Sequence, residues 1–215
     1  MAKYESIVDI KGSLGDLVFY KLNGVNVVRR KSGFSKEAYE NNPNYAKVKQ
    51  NSSEFGHSSK AGKAIREALA DYVKDCGDKL MYQKFAKVMT QIKNLDTVSE
   101  RGKRRVENGL QKEEARTILR EFKFGEVENA ISAAGMLEGF FSDSVVLSKT
   151  GFDQIELITL KPDFQKYTVQ QKKQSFPVKG KQNSFEFDRQ FPDEPGLLYF
   201  LVLKKKDEIL NMGFL

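Results

Sequence analysis

The chain is poor in the residues that build most catalytic and metal centres. Its 215 residues include one Cys, one His and no Trp. A single Cys, Cys76, excludes an internal disulfide and any thiolate-rich metal site. A single His, His57, excludes a His-rich zinc or iron centre and a second titrating imidazole. Long apolar runs are missing too. The longest is Leu197–Leu203, whereas a helix needs roughly 20 apolar residues to cross a bilayer, so this run reads as a buried strand and no membrane span is expected. Met1-Ala2-Lys3-Tyr4-Glu5 is not followed by the apolar run and small-residue cleavage site of a signal peptide. The expected location is therefore the cytoplasm.

What is present is enough for a packed fold. The hydrophobic fraction of 40%, with 16 Phe and 8 Tyr, argues against global disorder. Lys and Arg number 36 against 29 Asp and Glu, a net charge of +7. That charge is uneven. Residues 1–120 hold 24 Lys+Arg and 15 Asp+Glu, a net of +9, and residues 121–215 hold 12 and 14, a net of −2. Such asymmetry suggests an anionic partner for the basic part, or only a solvated, soluble face.

Three regions follow one another. In the first, about residues 5–31, Ile7-Val8-Asp9-Ile10 is a short apolar stretch and Gly12-Ser13-Leu14-Gly15-Asp16 reads as a turn. Leu17–Leu22 and Val25–Arg29 then flank Asn23-Gly24, the strongest short hairpin signal, because a type I′ turn needs positive φ at both central residues. The hairpin exits through Arg29-Arg30-Lys31 and Ser32-Gly33. A lone hairpin is marginal in water, so it must pack on something or pair with another chain.

The second region, about residues 43–120, reads as helical. Asn42-Pro43 is a capped start. Apolar or small residues recur at Tyr45, Val48, Ser52, Phe55, Ser59, Gly62, Leu69, Val73 and Cys76, with Arg66 filling the one wide gap. This is a heptad-like stripe whose small middle, Ser59 and Gly62, would admit another backbone. Gly77-Asp78 reads as a stop and a new start. The next helix would carry Met81, Phe85, Val88, Met89, Ile92 and Leu95 on one face. Thr97–Asn108 is polar and basic, and Lys112–Arg120 is a last helical piece.

The third region, about residues 121–215, reads as all-β. Candidate strands are Phe122–Phe124, Ser144–Leu147, Gln154–Leu160, Gln165–Phe176, Ser184–Asp188, Gly196–Lys204 and Glu208–Phe214. Turns are expected at Lys161-Pro162-Asp163, Lys179-Gly180-Lys181, Pro192–Gly196 and Lys205-Lys206-Asp207. Seven short strands at this spacing suggest a small, Ig-like antiparallel sandwich. The expected class is α+β: a basic β-hairpin plus helical domain over residues 1–120, and an all-β sandwich domain over residues 121–215.

The chemical motifs are thin. Gly56-His57-Ser58-Ser59-Lys60-Ala61-Gly62-Lys63-Ala64 is similar to a P-loop, but five residues separate the glycines, Ala64 stands where a hydroxyl would bind magnesium, and the stretch lies in a helical period. Small residues at a helix–helix contact explain it better. Gly12-Ser13-Leu14-Gly15 matches the nucleic-acid GXXG loop, yet joins β-runs rather than helices. Arg101, Lys103, Arg104 and Arg105 form one basic cluster, and Arg29, Arg30 and Lys31 a second. On one face they could bind phosphates without reading sequence; otherwise they are solvated, with Glu100 and Glu107 beside them. His57 and Cys76 are 19 residues apart, about 28 Å along one straight helix, so they cannot meet as base and nucleophile. Cys76 reads as core and His57 as a surface residue. No enzyme activity, cofactor, metal or small-molecule substrate is expected.

The stretch Lys11–Tyr20, with Asn23-Gly24 and Val27-Val28-Arg29, resembles the opening of an uncharacterised bacterial family that begins with a glycine turn, a Phe-Tyr-Lys strand, an Asn-Gly turn and a basic exit. Asn44-Tyr45, Glu54-Phe55-Gly56 and Ala61–Arg66 are similar to that family's helix. More distantly, it resembles small domains encoded near prophage and virion genes. The resemblance spans residues 11–72 and implies a structural or assembly role. The expected function is therefore a non-enzymatic structural or assembly protein that contacts copies of itself or other structural subunits; the resemblance implies a phage or prophage origin and a virion-like assembly made in the cytoplasm. Leu17, Phe19, Val27, Ser59 and Gly62 are the candidate self-association residues. The alternative is a sequence-neutral nucleic-acid binder using the two basic clusters.

Overall fold

A computed structural model describes residues 1–31, 36–74, 76–138, 143–180, 182–191 and 194–215. The turn positions expected at Ser32-Gly33, Lys181 and Pro192-Asp193 lie outside the described residues. The chain has N-terminal antiparallel strands, a helical middle and C-terminal sheets. It divides into two compact units, Met1–Ala46 and Lys47–Leu215. The boundary expected near residue 120 is thus a correction: it falls inside the second unit. The physical reason is a shared core. Ile65, Phe85 and Leu119 from the helices bury against Ile158, Phe200 and Phe214 from the strands, because a one-striped helix must cover its apolar side with another layer.

The first unit holds β1 (Ala2–Lys3), β2 (Gly12–Leu14), β3 (Leu17–Leu22), β4 (Val25–Arg30) and α1 (Lys36–Asn41). The strands form one sheet in the order β1-β4-β3-β2, all antiparallel. Asn23 and Gly24 both take positive φ, 51° and 82°, so the Asn-Gly hairpin forms as the sequence predicts. Gly12–Leu14, expected as a turn, is a strand, and the turn shrinks to Gly15-Asp16. Ile7–Ile10 forms no strand and lies exposed. Asn42 caps a 3-10 turn at Pro43–Tyr45, its side chain accepting from the Asn44 N–H at 2.9 Å.

The second unit begins with α2 (Ala46–Ala68) and α3 (Ala70–Val73), then α4 (Met81–Asn94), α5 (Val106–Gly109) and α6 (Glu113–Arg120). Helix α4 buries Met81, Phe85, Met89 and Ile92, the face its periodicity predicts. The expected stripe holds from Gly62 onward, with Leu69, Val73 and Cys76 buried after it, but the first part of α2 departs from it. Val48 and Phe55 are 45% and 58% exposed, and the buried face runs through Glu54, His57, Ser58, Ala61 and Ile65. The seam is offset because half of it is polar, which an apolar count passes over.

The strands β5 (Glu128–Asn129), β6 (Ala134–Glu138), β7 (Asp143–Leu147), β8 (Gln154–Asp163), β9 (Thr168–Pro177), β10 (Ser184–Phe187), β11 (Leu198–Lys205) and β12 (Glu208–Phe214) form two sheets. One has the order β10-β7-β6 and the other β5-β12-β11-β8-β9. Every pair is antiparallel except β5 with β12. The five-stranded sheet is covered on both faces, and its period of two shows how. Ile158, Leu160, Phe200, Val202, Met212 and Phe214 turn to the helical core. Ile155, Leu157, Leu201 and Leu203 turn the other way, packing with Val145, Phe185 and Phe187 of the smaller sheet. This is why Leu197–Leu203 is an unbroken apolar run.

Three local expectations change. Phe122–Phe124 is irregular, with Phe124 fully buried in the core. Lys161-Pro162-Asp163 lies inside β8, and the hairpin turn sits later, at Phe164–Tyr167. There the Asp163 carboxylate accepts from the backbone N–H groups of Gln165 and Lys166, at 3.0 and 2.9 Å. Strand β6, not foreseen, pairs with β7.

Candidate functional site

The polar seam of α2 organises the basic segment. Glu54 is 2% exposed and collects four donors. Its Oε1 accepts from the Gly102 N–H at 2.6 Å and from Arg104 Nε at 2.9 Å, and its Oε2 accepts from Arg104 Nη2 at 2.8 Å and from Lys93 Nζ. Lys93 is itself 4% exposed. Burial would push the Glu54 carboxyl up, but Arg104, Lys93 and Gly102 outweigh it and hold it at about 2. Gly102 is fixed by geometry. Its φ is +94°, and a Cβ there would meet Gln50 Cγ at 2.7 Å.

Asp96 repeats the device from the end of α4. Its Oδ1 accepts from the N–H groups of Val98 and Ser99, both at 3.0 Å. Its Oδ2 accepts from the Arg105 N–H at 2.9 Å and from Asn108 Nδ2 at 3.0 Å. Burial opposes ionisation here too, but these donors hold the carboxyl well below the usual range. Two buried carboxylates thus fasten the segment 96–108.

His57 lies one turn after Glu54 on the same seam. It is 4% exposed, a correction to its expected place on the surface. The Val106 N–H donates to Nε2 at 3.0 Å, so Nε2 carries the lone pair and the ring proton sits on Nδ1. Tyr167 Oη lies 3.0 Å from Nδ1 and Arg105 Nη1 lies 3.2 Å from it. Glu107 Oε2 lies 3.2 Å from Nε2. Burial holds the imidazole below its ordinary 6.5; Glu107 opposes this and Arg105 adds to it. Tyr167 reaches the ring from the β8–β9 turn with φ +54°, a left-handed conformation unusual for an aromatic residue. Beside it is a cleft of about 410 Å³, lined by Arg105, Glu107, Phe164, Gln165 and Tyr167.

The candidate basic residues therefore differ among themselves. Arg104 is internal, its side chain 25% exposed on Glu54. Arg105 is exposed beside His57. Arg101 is exposed and donates to Asn51 Oδ1 at 3.1 Å, and Lys103 is exposed beside Glu100 at 3.1 Å. In the first unit Arg29 stands opposite Val18 and Arg30 opposite Leu17, on alternate faces of the sheet. Arg30 lies 3.7 Å from Asp16, and Lys31 is exposed. Among the described residues no group of His, Cys, Asp or Glu is placed to hold a metal ion.

The candidate self-association residues also separate. Leu17 and Phe19 share one face of the sheet and Val27 lies on the other. Leu17 is 42% exposed, Phe19 is half-buried edge-on to Tyr4, and Val27 is buried. Ser59 is half-buried, lining a groove with Phe55 and Tyr82. Gly62 is taken up within the chain: a Cβ there would meet Met89 Cγ of α4 at 2.9 Å.

Sequence reasoning reached the basic residues but missed Glu54, Asp96 and Tyr167. The available signal was the 54, 57/58, 61, 65 spacing on α2, polar for its first two steps. No family model matches the chain, and neither a curated protein nor a solved structure is significantly similar to it. Among the described residues no helix is long and apolar enough to cross a membrane.

Proposed function

We propose that the chain is a non-enzymatic structural or assembly protein, in which the sheet of residues 1–46 joins copies of itself. One observation carries this reading. The sheet buries only Val27 among its described large apolar residues, while Leu14, Leu17, Leu22 and Val25 of its strands, with Ile7, Val8 and Ile10 of the segment between β1 and β2, stay 41% exposed or more. A small sheet needs a covering layer to be stable, and exposed apolar surface of this kind marks an interaction site. Leu14 and Leu17 pair on one face, and Leu22 and Val25 pair on the other. A unit with apolar groups on both faces can be joined twice, which suits an assembly larger than a dimer. Residues 1–46 carry seven Lys+Arg against five Asp+Glu, so like units meet without strong repulsion. The outer strands, β1 and β2, are two and three residues long, so faces rather than strand edges are the means of contact.

The two facing sheets of the second unit support a sandwich-like reading of its β-layers. A virion-like assembly made in the cytoplasm fits the resemblance over residues 11–72. Sedimentation at rising concentration tests the reading. Assemblies larger than a dimer are expected at moderate salt, and Leu17→Asp with Leu22→Asp should dissolve them. A strict monomer at high concentration sinks the reading.

Sequence-neutral nucleic-acid binding is the second reading, favoured by the exposure of Arg29, Arg30, Lys31, Arg101 and Lys103. Affinity for random duplex should then fall steeply with salt, and absence of binding at low salt ends it.

A further inference from the structure

The surroundings of His57 contain more hydrogen-bond donors than acceptors on one side of the ring. Val106 N–H occupies Nε2, so Nδ1 carries the proton and gives it to Tyr167 Oη. The Tyr167 hydroxyl then keeps its own proton, and among the described residues nothing accepts it. Arg105 Nη1, 3.2 Å from a nitrogen that is itself a donor, finds no lone pair there. Arg105 forms no ion pair among the described residues and its side chain is exposed. A phenol O–H and a guanidinium fork therefore converge beside one atom with no acceptor between them.

The rest of the cleft agrees. Gln165 adds an amide at its rim, and Lys60 Nζ stands 5.3 Å from the centre of the Tyr167 ring. Glu107 is the one carboxylate among the described residues of the lining, and its Oε2 is turned to the opposite nitrogen of His57, buried and without a hydrogen-bond partner among the described residues. Two cations and one carboxylate leave this side of the ring positive. Tyr167 is held in a left-handed conformation, φ +54°, at the end of the β8–β9 turn. The cleft, about 410 Å³ and open to solvent, has room for a small ion.

We infer that this cleft binds a phosphate-type oxyanion, held by the Arg105 guanidinium and the Tyr167 hydroxyl, with neutral His57 fixing both. A tetrahedral oxyanion offers several acceptors at once, which suits a guanidinium fork plus one hydroxyl. The source is either free phosphate or a small phosphate monoester. This inference does not rest on the role proposed for residues 1–46.

The test uses the full chain and its one imidazole. Inorganic phosphate and phenyl phosphate are titrated separately while the His57 ring resonances are followed by NMR, with chloride at matched ionic strength as control. A saturable shift with phosphate is expected, and tighter binding of phenyl phosphate assigns the monoester. Arg105→Gln removes the fork while leaving the backbone N–H that Asp96 accepts, and should weaken binding roughly ten-fold or more. Tyr167→Phe keeps the ring and should weaken it several-fold. Both variants are checked for an unchanged unfolding midpoint. No saturable shift in the wild type, or equal binding by a folded Arg105→Gln, overturns the inference.

Discussion

Arg104 closes its guanidinium fork on Glu54, Nε to Oε1 at 2.9 Å and Nη2 to Oε2 at 2.8 Å, across 50 residues of sequence. The pair turns what reads as a basic patch into an internal tie. Lys93 shares the same carboxylate, so removing Glu54 strands a cation that is 4% exposed. Breaking a buried pair from one side costs about 3–5 kcal/mol. Glu54→Gln should lower stability in urea by an amount of this order. Lys93→Met combined with Glu54→Gln should recover part of it, since no buried charge is then left unpaired by Lys93. Equal loss in the single and double variants would falsify the assignment of Lys93 as the stranded group.

The same segment sets the response to acid. Glu54 titrates at about 2 in the fold against an ordinary 4.5, so its contribution is present above 4.5 and is lost as pH falls from there toward 2. Asp96 acts with the same sign. His57 acts earlier. Its folded value lies below the ordinary 6.5, the unfolded chain binds the proton more readily, and stability is complete above 6.5 and declines as pH falls through it. A urea midpoint measured against pH should begin to drop below 6.5, and His57→Asn should remove that early limb while leaving the later one. An early limb of unchanged size in a folded His57→Asn variant refutes the role given to His57.

These residues also show where the sequence was legible. The Asn23-Gly24 turn, the Asn42-Pro43 start and the face of α4 are written locally, in positive-φ turn chemistry, a cap and an apolar period. The seam of α2 is not, because Glu54 and His57 are buried by virtue of partners 39 to 110 residues away. The core that helices and strands share within residues 47–215 was hidden for the same reason. Its strands alternate between two covering layers, and local charge and pattern do not say that one of those layers is the helical region. Tyr167 reads as part of the strand Gln165–Phe176, but it lies in the turn before β9, because the hairpin turn falls after Pro162 rather than on it.

Gly102 is required twice over. Its φ of +94° is unfavourable for any side chain, and the space its Cβ would need is held by Gln50. Gly102→Ala should lower stability by about 1–3 kcal/mol, and it should also loosen the Arg104–Glu54 contact. Hydrogen exchange of the Gly102 neighbourhood is the readout, with faster exchange at Arg105 N–H, the donor to Asp96 Oδ2, as the expected result. Unchanged stability with unchanged exchange would show that the segment tolerates a side chain there.

Two glycines on α2 should respond in opposite directions. Gly56 lies in the helix with nothing within 4 Å of an added Cβ. Replacing such a glycine by Ala restricts the unfolded chain and adds helix propensity, about 0.5–1 kcal/mol of stabilisation. Gly62 sits six residues on, where a Cβ would meet Met89 Cγ at 2.9 Å and Phe85 Cδ1 at 3.4 Å. Those atoms belong to side chains that are fully buried, so α2 and α4 would have to separate or Met89 find another rotamer. Gly62→Ala should therefore gain little or nothing, and Gly62→Leu should overpack the contact by about 1–3 kcal/mol or more. Thermal unfolding of Gly56→Ala, Gly62→Ala and Gly62→Leu, each as a single variant, gives the comparison. Stabilisation by Gly56→Ala with loss in Gly62→Leu assigns the small residue at position 62 to packing within the chain. Tolerance of Leu at 62 with a change in oligomeric state would instead return that position to a contact between copies.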